Sequence, residues 1–193
     1  MSRDAARPLR ADAQRNRDKI LAAAVRVFTE EGLDAHLERI AREAGVGTAT
    51  LYRNFPTREA LVEAAYRNEV AQLRDVVPEL LASQPPYEAL RAWTRLFMDY
   101  ATAKLGMADA LRAIAAAGSN PYAHSHDMIR SAITALMDAC AEAGAIRTDI
   151  GPADMFAALA GIALTSAEPE QREQAERLLD LTLDGLRRAP SEG

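Results

Sequence analysis

The chain has 193 residues, of which 49% are hydrophobic, and it carries a formal net charge of −5 at pH 7. A chain of this length can bury a substantial core, so we expect a small domain joined to a larger one. No apolar run is long enough to span a bilayer, and the first residues lack the apolar segment of a signal peptide. We therefore expect a cytoplasmic protein with no membrane partner.

The composition favours an all-α protein. Alanine and leucine abound, and no stretch shows the alternation of β-branched residues that is typical of a half-buried strand. Cys140 is the single cysteine, so the chain can form no internal disulfide. Because apolar residues surround Cys140 at helical spacing, we interpret it as a core residue, with a redox switch as the alternative.

The charge is divided unevenly along the chain. Residues 1–60 carry eleven Arg or Lys against nine Asp or Glu, a balance of +2, whereas residues 61–193 carry twelve against nineteen, a balance of −7. Basic residues concentrate before residue 27, and residues 1–13 are predicted to form a flexible basic arm that lies along DNA, or else a solubilising tail. Arg15 or Arg17 is the better candidate for a phosphate contact.

Two short helices joined by a glycine turn are predicted within His36–Phe55. A helix over Arg15–Glu31 precedes them and ends at Gly32, where a left-handed C-cap is expected. In the first of the two helices, apolar residues recur at helical spacing over Leu37–Ala44, and Gly45 then supplies a residue that takes positive φ at low cost.

The second of these helices has a polar outer face. Gly47 or Thr48 can cap its start, while Leu51 and Phe55 face inward. Its hydroxyl, amide, phenol and guanidinium groups can reach base edges and phosphates when a helix enters a major groove. The alternative is a helical hairpin whose polar side is only solvated. The outer face consists of Thr48, Ala49, Thr50, Tyr52, Arg53 and Asn54.

The residues that follow Phe55 favour the DNA-binding interpretation. Pro56 prevents the helix from continuing, Thr57 offers an N-cap, and a new helix opens at Arg58. Together with the helix before His36, these elements predict one compact amino-terminal domain.

The segment from about Arg15 to Tyr66 resembles the amino-terminal domain of the TetR family of transcriptional regulators. The sequences Ile-Ala-Arg-Glu-Ala-Gly-Val at 40–46 and Thr-Leu-Tyr-Arg-Asn-Phe-Pro-Thr-Arg-Glu-Ala-Leu at 50–61 carry the resemblance. It implies DNA contacts from the six residues of the outer face and a phosphate contact from Arg58. His36 departs from the family's usual Ser or Thr cap, so the cap is weaker or comes from Asp34, and an imidazole contact with a phosphate is a further alternative.

The rest of the chain is predicted to form a larger helical domain. Leu61–Leu81 is predicted as one connecting helix, bent or broken near Pro78, that touches both domains and transmits a change in one to the other. Further helices are expected over Tyr87–Leu105, around Leu111, and from Tyr122 to about Ala143.

Aromatic and Met side chains of this domain form a candidate ligand site. Such residues enclose a mostly apolar ligand, whose orientation a Tyr or Trp polar atom fixes. At helical spacing the same residues are otherwise ordinary core. The resemblance implies a small-molecule pocket in this domain without indicating its lining. The candidate residues are Trp93, Phe97, Tyr100, Met107, Leu111, Met128, Ile129 and Met137.

Metal and enzyme chemistry have little support in the sequence. His124, His126 and Asp127 form the one cluster with metal-ligand chemistry, but two histidines two residues apart face different ways on a helix, so we prefer a polar helix start. The chain has no nucleophile elbow, Walker loop or dinucleotide fingerprint. We expect no catalytic residues, no metal and no cofactor.

The last two predicted helices, at about 152–167 and 170–188, have more apolar surface than one chain obviously covers. Small residues such as Ala157 and Gly161 permit close approach of a partner helix. We expect an isologous homodimer through these helices, with packing inside the monomer as the alternative. A dimer can also bind two half-sites of DNA, which raises the affinity and specificity of a protein that contacts bases in the major groove.

The predicted organisation is an arm at 1–13, a DNA-binding domain at 14–66 with its helix-turn-helix at 36–55, a helical ligand-binding and dimerisation domain at 67–189, and a tail at 190–193. The predicted function is that of a homodimeric repressor that binds a palindromic double-stranded DNA operator and is released by a small-molecule effector. A protein-recruitment factor of the same fold without an inducer and a transcriptional activator are the alternatives.

Overall fold

The computed structural model describes residues 6–166 and 171–187, where the regular structure is helical apart from one isolated β-bridge. The all-α prediction is confirmed. Within this part of the chain no helix is both long and apolar enough to cross a bilayer. The α-helices, in chain order, are α1 (Ala6–Glu31), α2 (Leu37–Glu43), α3 (Thr48–Asn54), α4 (Arg58–Asp75), α5 (Val77–Ser83), α6 (Pro86–Gly106), α7 (Ala108–Ala116), α8 (Ser125–Glu142), α9 (Pro152–Thr165) and α10 (Arg172–Leu186).

The chain divides into two compact units. We call Met1–Asn68 with Ala103–Pro121 the head unit, and Glu69–Thr102 with Tyr122–Gly193 the body unit. Residues 103–121 therefore group with the amino-terminal helices, although the sequence analysis placed them in the domain at 67–189. The predicted boundaries at residues 13 and 66 stay predictions, and the boundary at 189 and the tail at 190–193 lie outside the described residues.

One face of α1 is buried in the core of the head unit. α2 packs against α1, and exposed ion pairs join the same two helices, with Arg26 Nε 2.6 Å from Glu43 Oε1 and Arg39 Nη2 2.7 Å from Glu30 Oε2. A buried aliphatic or aromatic side chain contributes about 1.5–3 kcal/mol, whereas an exposed ion pair contributes about 0–1 kcal/mol, so packing holds the helices together. Four α1 residues at the predicted helical spacing are fully buried: Ile20, Ala24, Val27 and Phe28.

α1 begins earlier than its predicted start at Arg15. It begins at Ala6, so residues 6–13 of the predicted arm are helical. Pro8 lies in the first turn, where a backbone N–H has no helical partner, and proline is therefore compatible with this start. Residues 1–5 of the predicted arm lie outside the described residues.

The predicted connecting helix over Leu61–Leu81 is two helices in the structure. α4 ends at Asp75 and α5 begins at Val77, which confirms the predicted bend or break near Pro78. Pro78 lies in the first turn of α5, where its missing N–H costs least. In a continuous helix the same proline would remove the hydrogen bond to Arg74 and clash with that carbonyl.

The body unit has an aromatic and aliphatic core. Cys140 is fully buried in α8, which confirms its interpretation as a core residue. Burial also raises the pKa of the Cys140 thiol to about 11, so the reactive thiolate is scarce at neutral pH and the redox alternative loses support. α9 packs against both α8 and α10. Fully or almost fully buried side chains of α6, α8, α9 and α10 include Leu90, Trp93, Leu136, Met155, Leu159, Leu179 and Leu183.

Gly106, at the end of α6, lies close to the backbone of α1. A Cβ atom at this position would be 2.9 Å from the Phe28 carbonyl oxygen and 3.0 Å from Thr29 Cα. These are backbone atoms, which cannot rotate away as a side chain can. Glycine is therefore required for this approach, which joins residues 103–121 to α1 within the head unit.

We expect Gly106→Ala to lower the free energy of unfolding by about 1–3 kcal/mol, because the added methyl overpacks a backbone contact. Urea denaturation followed by circular dichroism measures the change. Gly185→Ala is the matched control, since Gly185 is a helical glycine in α10 with no atom within 4 Å of its built Cβ. The control should be neutral or more stable, and equal destabilisation of the two variants would contradict the close approach at Gly106.

Candidate DNA-binding site

The turn between α2 and α3 is closed by two backbone hydrogen bonds. Gly45 takes φ +65°, as predicted, and its N–H donates to the Arg42 carbonyl at 3.1 Å. The Val46 N–H donates to the Ala41 carbonyl at 3.0 Å. These bonds satisfy carbonyls that the end of α2 would otherwise leave without partners, and they set the direction in which the chain enters α3.

The caps of the two helices agree with the sequence analysis. His36 is the N-cap residue of α2 and makes no side-chain capping bond, and α2 therefore lacks the cap that Ser or Thr would supply. Gly47 is the N-cap residue of α3, and its carbonyl accepts the N–H groups of Thr50 at 2.8 Å and Leu51 at 3.2 Å.

Two apolar side chains anchor α3 to the head unit. Leu51 is fully buried and Phe55, immediately after the helix, is 2% exposed, as predicted. Tyr52, on the opposite side, is 42% exposed. The predicted outer face is therefore largely exposed: Thr48, Ala49, Tyr52 and Arg53 are exposed, and Thr50 and Asn54 are half-buried.

The side chain of Asn54 is engaged by its own helix. Its Nδ2 donates to the Thr50 carbonyl at 2.8 Å. This bond leaves the amide fewer donors for a base edge.

The start of α4 places a cation beside a helix amino terminus. The Ala60 N–H donates to Thr57 Oγ1 at 3.1 Å, which confirms Thr57 as the predicted cap. Arg58, the first residue of α4, is half-buried. The amino end of a helix carries partial positive charge, so Arg58 and the backbone act in the same direction on a phosphate.

The two α1 arginines proposed for phosphate contact are differently placed. Arg15 forms an exposed ion pair with Asp12. The guanidinium carbon of Arg17 lies 4.5 Å from the centroid of the Phe55 ring. A groove of about 470 Å³ adjoins this contact, lined from α1, the end of α3 and α4 by residues that include Asp18, Asn54, Glu63 and Arg67. No local sequence signal joins residues as distant in the chain as Arg17 and Phe55.

The predicted ligand-site residues are mostly buried. Trp93, Phe97, Tyr100, Ile129 and Met137 are buried in the body unit and Met128 is half-buried there, whereas Met107 and Leu111 are fully buried in the head unit. Among the eight, the structure brings together three rings: the Phe97 centroid lies 5.8 Å from Trp93 and 5.7 Å from Tyr100.

Two further rings join this aromatic cluster. Phe156 lies edge-on to Phe97 at 6.4 Å, and the exposed His126 ring lies 5.8 Å from Phe156. Phe156 was not predicted as a site residue, because the sequence of α9 indicated a dimerisation helix. The spacing of Phe156 with Leu159 and Ala163 was its only sequence signal, and that spacing indicates core as readily as a site.

The bond made by the Trp93 indole was not predicted. Its Nε1–H donates to the Leu73 carbonyl in the last turn of α4 at 2.7 Å. The polar atom expected to orient a ligand is therefore bound to the backbone of a helix that begins at Arg58.

The histidine cluster forms the start of α8. His124 is its N-cap residue with φ +64°, and this left-handed conformation explains why the helix begins at Ser125 and not at the predicted Tyr122. Ser125 N–H donates to the Tyr122 carbonyl at 3.1 Å in the preceding turn. Over the described part of the chain, no three metal-ligating side chains come together.

Comparison with known proteins agrees with this geometry. Residues 20–65 match the family described as bacterial regulatory proteins, tetR family, and residues 85–188 match the C-terminal domain described as transcriptional regulator SbtR-like. The TetR transcriptional regulator SCO0520 from Streptomyces coelicolor is 77% identical in sequence, and its crystal structure aligns with a TM-score of 0.87 over 90% of this chain and 99% of that one. The chain belongs to the TetR family of transcriptional regulators.

Other relatives extend the same comparison. A TetR transcription regulatory protein from Mycobacterium vanbaalenii is 34% identical, with a TM-score of 0.76 over 94% of this chain and 100% of that one. Curated HTH-type transcriptional regulators from Staphylococcus aureus are 43% identical over 54 residues, which is 28% of this chain and 29% of their length. The protein is thus a TetR-family DNA-binding regulator and not an enzyme.

Two substitutions distinguish phosphate contact from base reading in this TetR-family head. Arg58→Gln should weaken binding to every duplex and lower the salt slope by about one unit, because Arg58 is expected to contact one phosphate. Thr48→Val should instead change base preference, with a discrimination effect of about 1–3 kcal/mol at one base pair. Fluorescence anisotropy with duplexes selected from a random library, at several salt concentrations, measures both effects.

Arg95→Gln is the matched control, since Arg95 is an exposed arginine on α6 in the body unit. It should leave base preference and the salt slope unchanged. If variants at Thr48, Thr50, Tyr52 and Arg58 all bind the selected duplex as tightly as the parent chain, the assignment of α3 as the recognition helix, the helix that contacts base edges in the major groove, is wrong.

Proposed function

We propose that this protein is a cytoplasmic homodimeric repressor that binds a palindromic operator and leaves it when a small, mostly apolar ligand occupies the body unit. The observation that carries the proposal is that α4 has Arg58 in its first turn and accepts the Trp93 hydrogen bond in its last. One helix thus connects the residue expected to bind phosphate with the aromatic cluster expected to bind ligand.

The Trp93 hydrogen bond fixes the last turn of α4 to α6. The last carbonyls of a helix have no partners within it, and the indole N–H satisfies the one at Leu73. Both residues are buried, so water cannot replace this bond. Its loss would leave a buried polar group without a hydrogen-bond partner, which costs about 1–3 kcal/mol. A change at Trp93 therefore acts on the end of α4.

The aromatic cluster gives a ligand the means to act on that bond. Trp93 and Phe97 are buried and stacked, so an apolar molecule can enter between them only if the rings separate. Such a ligand binds the separated arrangement better than the closed one, and this difference in affinity is what shifts the population. The arrangement that the ligand selects is the one that releases DNA.

The dimer is proposed from an uncovered apolar surface on α9 and α10. Leu164 is 73% exposed and Leu181 is 69% exposed, each on a helix whose other face is buried. Gly161 and Ala157 are exposed on α9 about one and two turns before Leu164, so a partner helix can approach closely. We propose that a second copy of the chain covers this surface, because it would also supply a second recognition helix for the second half of the operator. Residues 167–170 and 188 of the predicted interface lie outside the described residues.

We expect Leu164→Glu to raise the dimer dissociation constant by about a hundredfold, since a carboxylate placed in an apolar interface against its symmetry mate costs several kcal/mol. Analytical ultracentrifugation measures the dissociation constant. Leu96→Glu is the control, because Leu96 is 41% exposed on α6 and outside the proposed interface. The proposed interface is wrong if Leu164→Glu dimerises as the parent chain does, or if both variants dissociate alike.

The effector mechanism can be followed through the single tryptophan of the chain. We expect apolar compounds that change Trp93 emission to lower affinity for the selected duplex by about tenfold or more, a coupling of about 1.4 kcal/mol or above. Fluorescence titration identifies the compounds, and anisotropy of labelled DNA measures release.

Phe97→Leu serves as the control for this experiment. It alters the same cluster but leaves the Trp93 indole to bind Leu73, so the chain without ligand should keep its DNA affinity. Compounds that change Trp93 emission and leave the DNA bound would contradict release by ligand and favour the alternative of a recruitment factor that needs no inducer.

A further inference from the structure

We propose that Arg17 is a positioning residue for the recognition helix: its guanidinium, stacked on the Phe55 ring, fixes the carboxyl end of α3 to α1 and thereby sets base selectivity. The inference requires only that the head unit binds DNA. It does not depend on the effector or on the sign of regulation.

The geometry of the contact is that of a cation over an aromatic face. The guanidinium carbon lies 4.5 Å from the ring centroid, within the distance at which the ring quadrupole attracts a cation. Phe55 is 2% exposed and Arg17 is half-buried, so the guanidinium covers a ring that is otherwise almost fully enclosed. Arginine suits this position because its planar, weakly hydrated group stacks on rings better than an ammonium does.

The carboxyl end of α3 is held by the burial of Leu51 and Phe55, and the Arg17 guanidinium fixes the Phe55 ring from the side of α1. α3 has seven residues, and Phe55 follows it in an extended conformation, with φ −136° and ψ 92°. The Phe55 N–H donates the last helical bond, to the Leu51 carbonyl at 2.8 Å, and Pro56 then has no N–H with which to continue. A small displacement of Phe55 therefore tilts the whole outer face, since the helix is only about 10 Å long.

The surroundings of Arg17 disfavour a phosphate contact. The adjoining groove contains the carboxylates of Asp18 and Glu63, which repel an anion. Arg67, the other cation in the groove, is already paired with Glu63 at 2.6 Å, and Gln14 Nε2 donates to Asp18 at 2.8 Å. In the described chain no carboxylate lies within ion-pair distance of Arg17, so its position is explained by the ring and not by a salt bridge.

The test compares selectivity with salt dependence in Arg17→Gln. Anisotropy titrations use the duplex selected by the parent chain and a scrambled duplex of equal length, over a range of salt concentrations. We expect a loss of about twofold to fivefold per head for the selected duplex, with the scrambled affinity and the salt slope matching those of the control. Lys19→Gln is that control, because Lys19 is an exposed cation on the same helix, and its removal changes the charge equally.

Two outcomes overturn the proposal. Equal losses for both duplexes, with a salt slope lower by about one unit than in the control, identify Arg17 as a phosphate contact. Unchanged affinity for both duplexes shows that Arg17 has no part in DNA binding.

A conservative variant covers the case in which Arg17→Gln does not fold. Arg17→Lys keeps the charge, so a phosphate contact predicts unchanged binding. Positioning predicts a loss of selectivity of about twofold, since an ammonium stacks less well on the ring, with the salt slope and the melting temperature unchanged.

Discussion

The recognition helix depends on the burial of two side chains. α3 has seven residues, and a helix this short is not stable in water by itself. Its helical form and its direction are therefore imposed by Leu51 and Phe55, which are buried in the head unit, and by the turn at Gly45. Because these contacts occupy one side of the helix completely, the other side is free to present hydroxyl and guanidinium groups. The burial of Leu51 and Phe55 thus determines which side chains of α3 remain exposed.

The start of α4 is determined by neighbouring residues in the chain, whereas its end also depends on a residue that is distant in the sequence. Thr57 caps its first turn, so Arg58 is placed by residues adjacent to it in the chain. Its end is determined by Pro78, which cannot continue the helix, and by the Trp93 indole, which satisfies the Leu73 carbonyl. Loss of the Trp93 bond would leave the Leu73 carbonyl unsatisfied and so would change how the end of α4 is held. The proposed effector mechanism therefore rests on Trp93 and not on general flexibility of α4.

Local signals in the sequence were sufficient for much of this structure. Gly45, Thr57 and Pro152 each act on their immediate neighbours, so the turn, the cap and the start of α9 follow from residue type. The early start of α1 was missed because arginine-rich composition fits a basic arm as well as a helix. No periodicity in the sequence predicts the bond of Trp93 to Leu73 or the approach of Gly106 to Phe28. Each contact joins two helices that only the folded core brings together. For the same reason the residues of the aromatic cluster could be predicted as apolar but not as neighbours.

The arginines of the head unit show why a charge count identifies the DNA-binding region but not its contacts. Arg15, Arg26 and Arg39 all belong to ion pairs with carboxylates of α1 or α2, and Arg17 is stacked on Phe55. Each of these cations raises the basic balance of residues 1–60, yet its charge is already neutralised or its group already engaged in the fold. We therefore expect exposed cations outside these contacts, such as Arg53 on α3, and the partial positive charge at the amino end of α4 to contribute to the potential at the proposed DNA surface. The share of the basic charge that a segment carries therefore does not by itself predict its share of the DNA contacts.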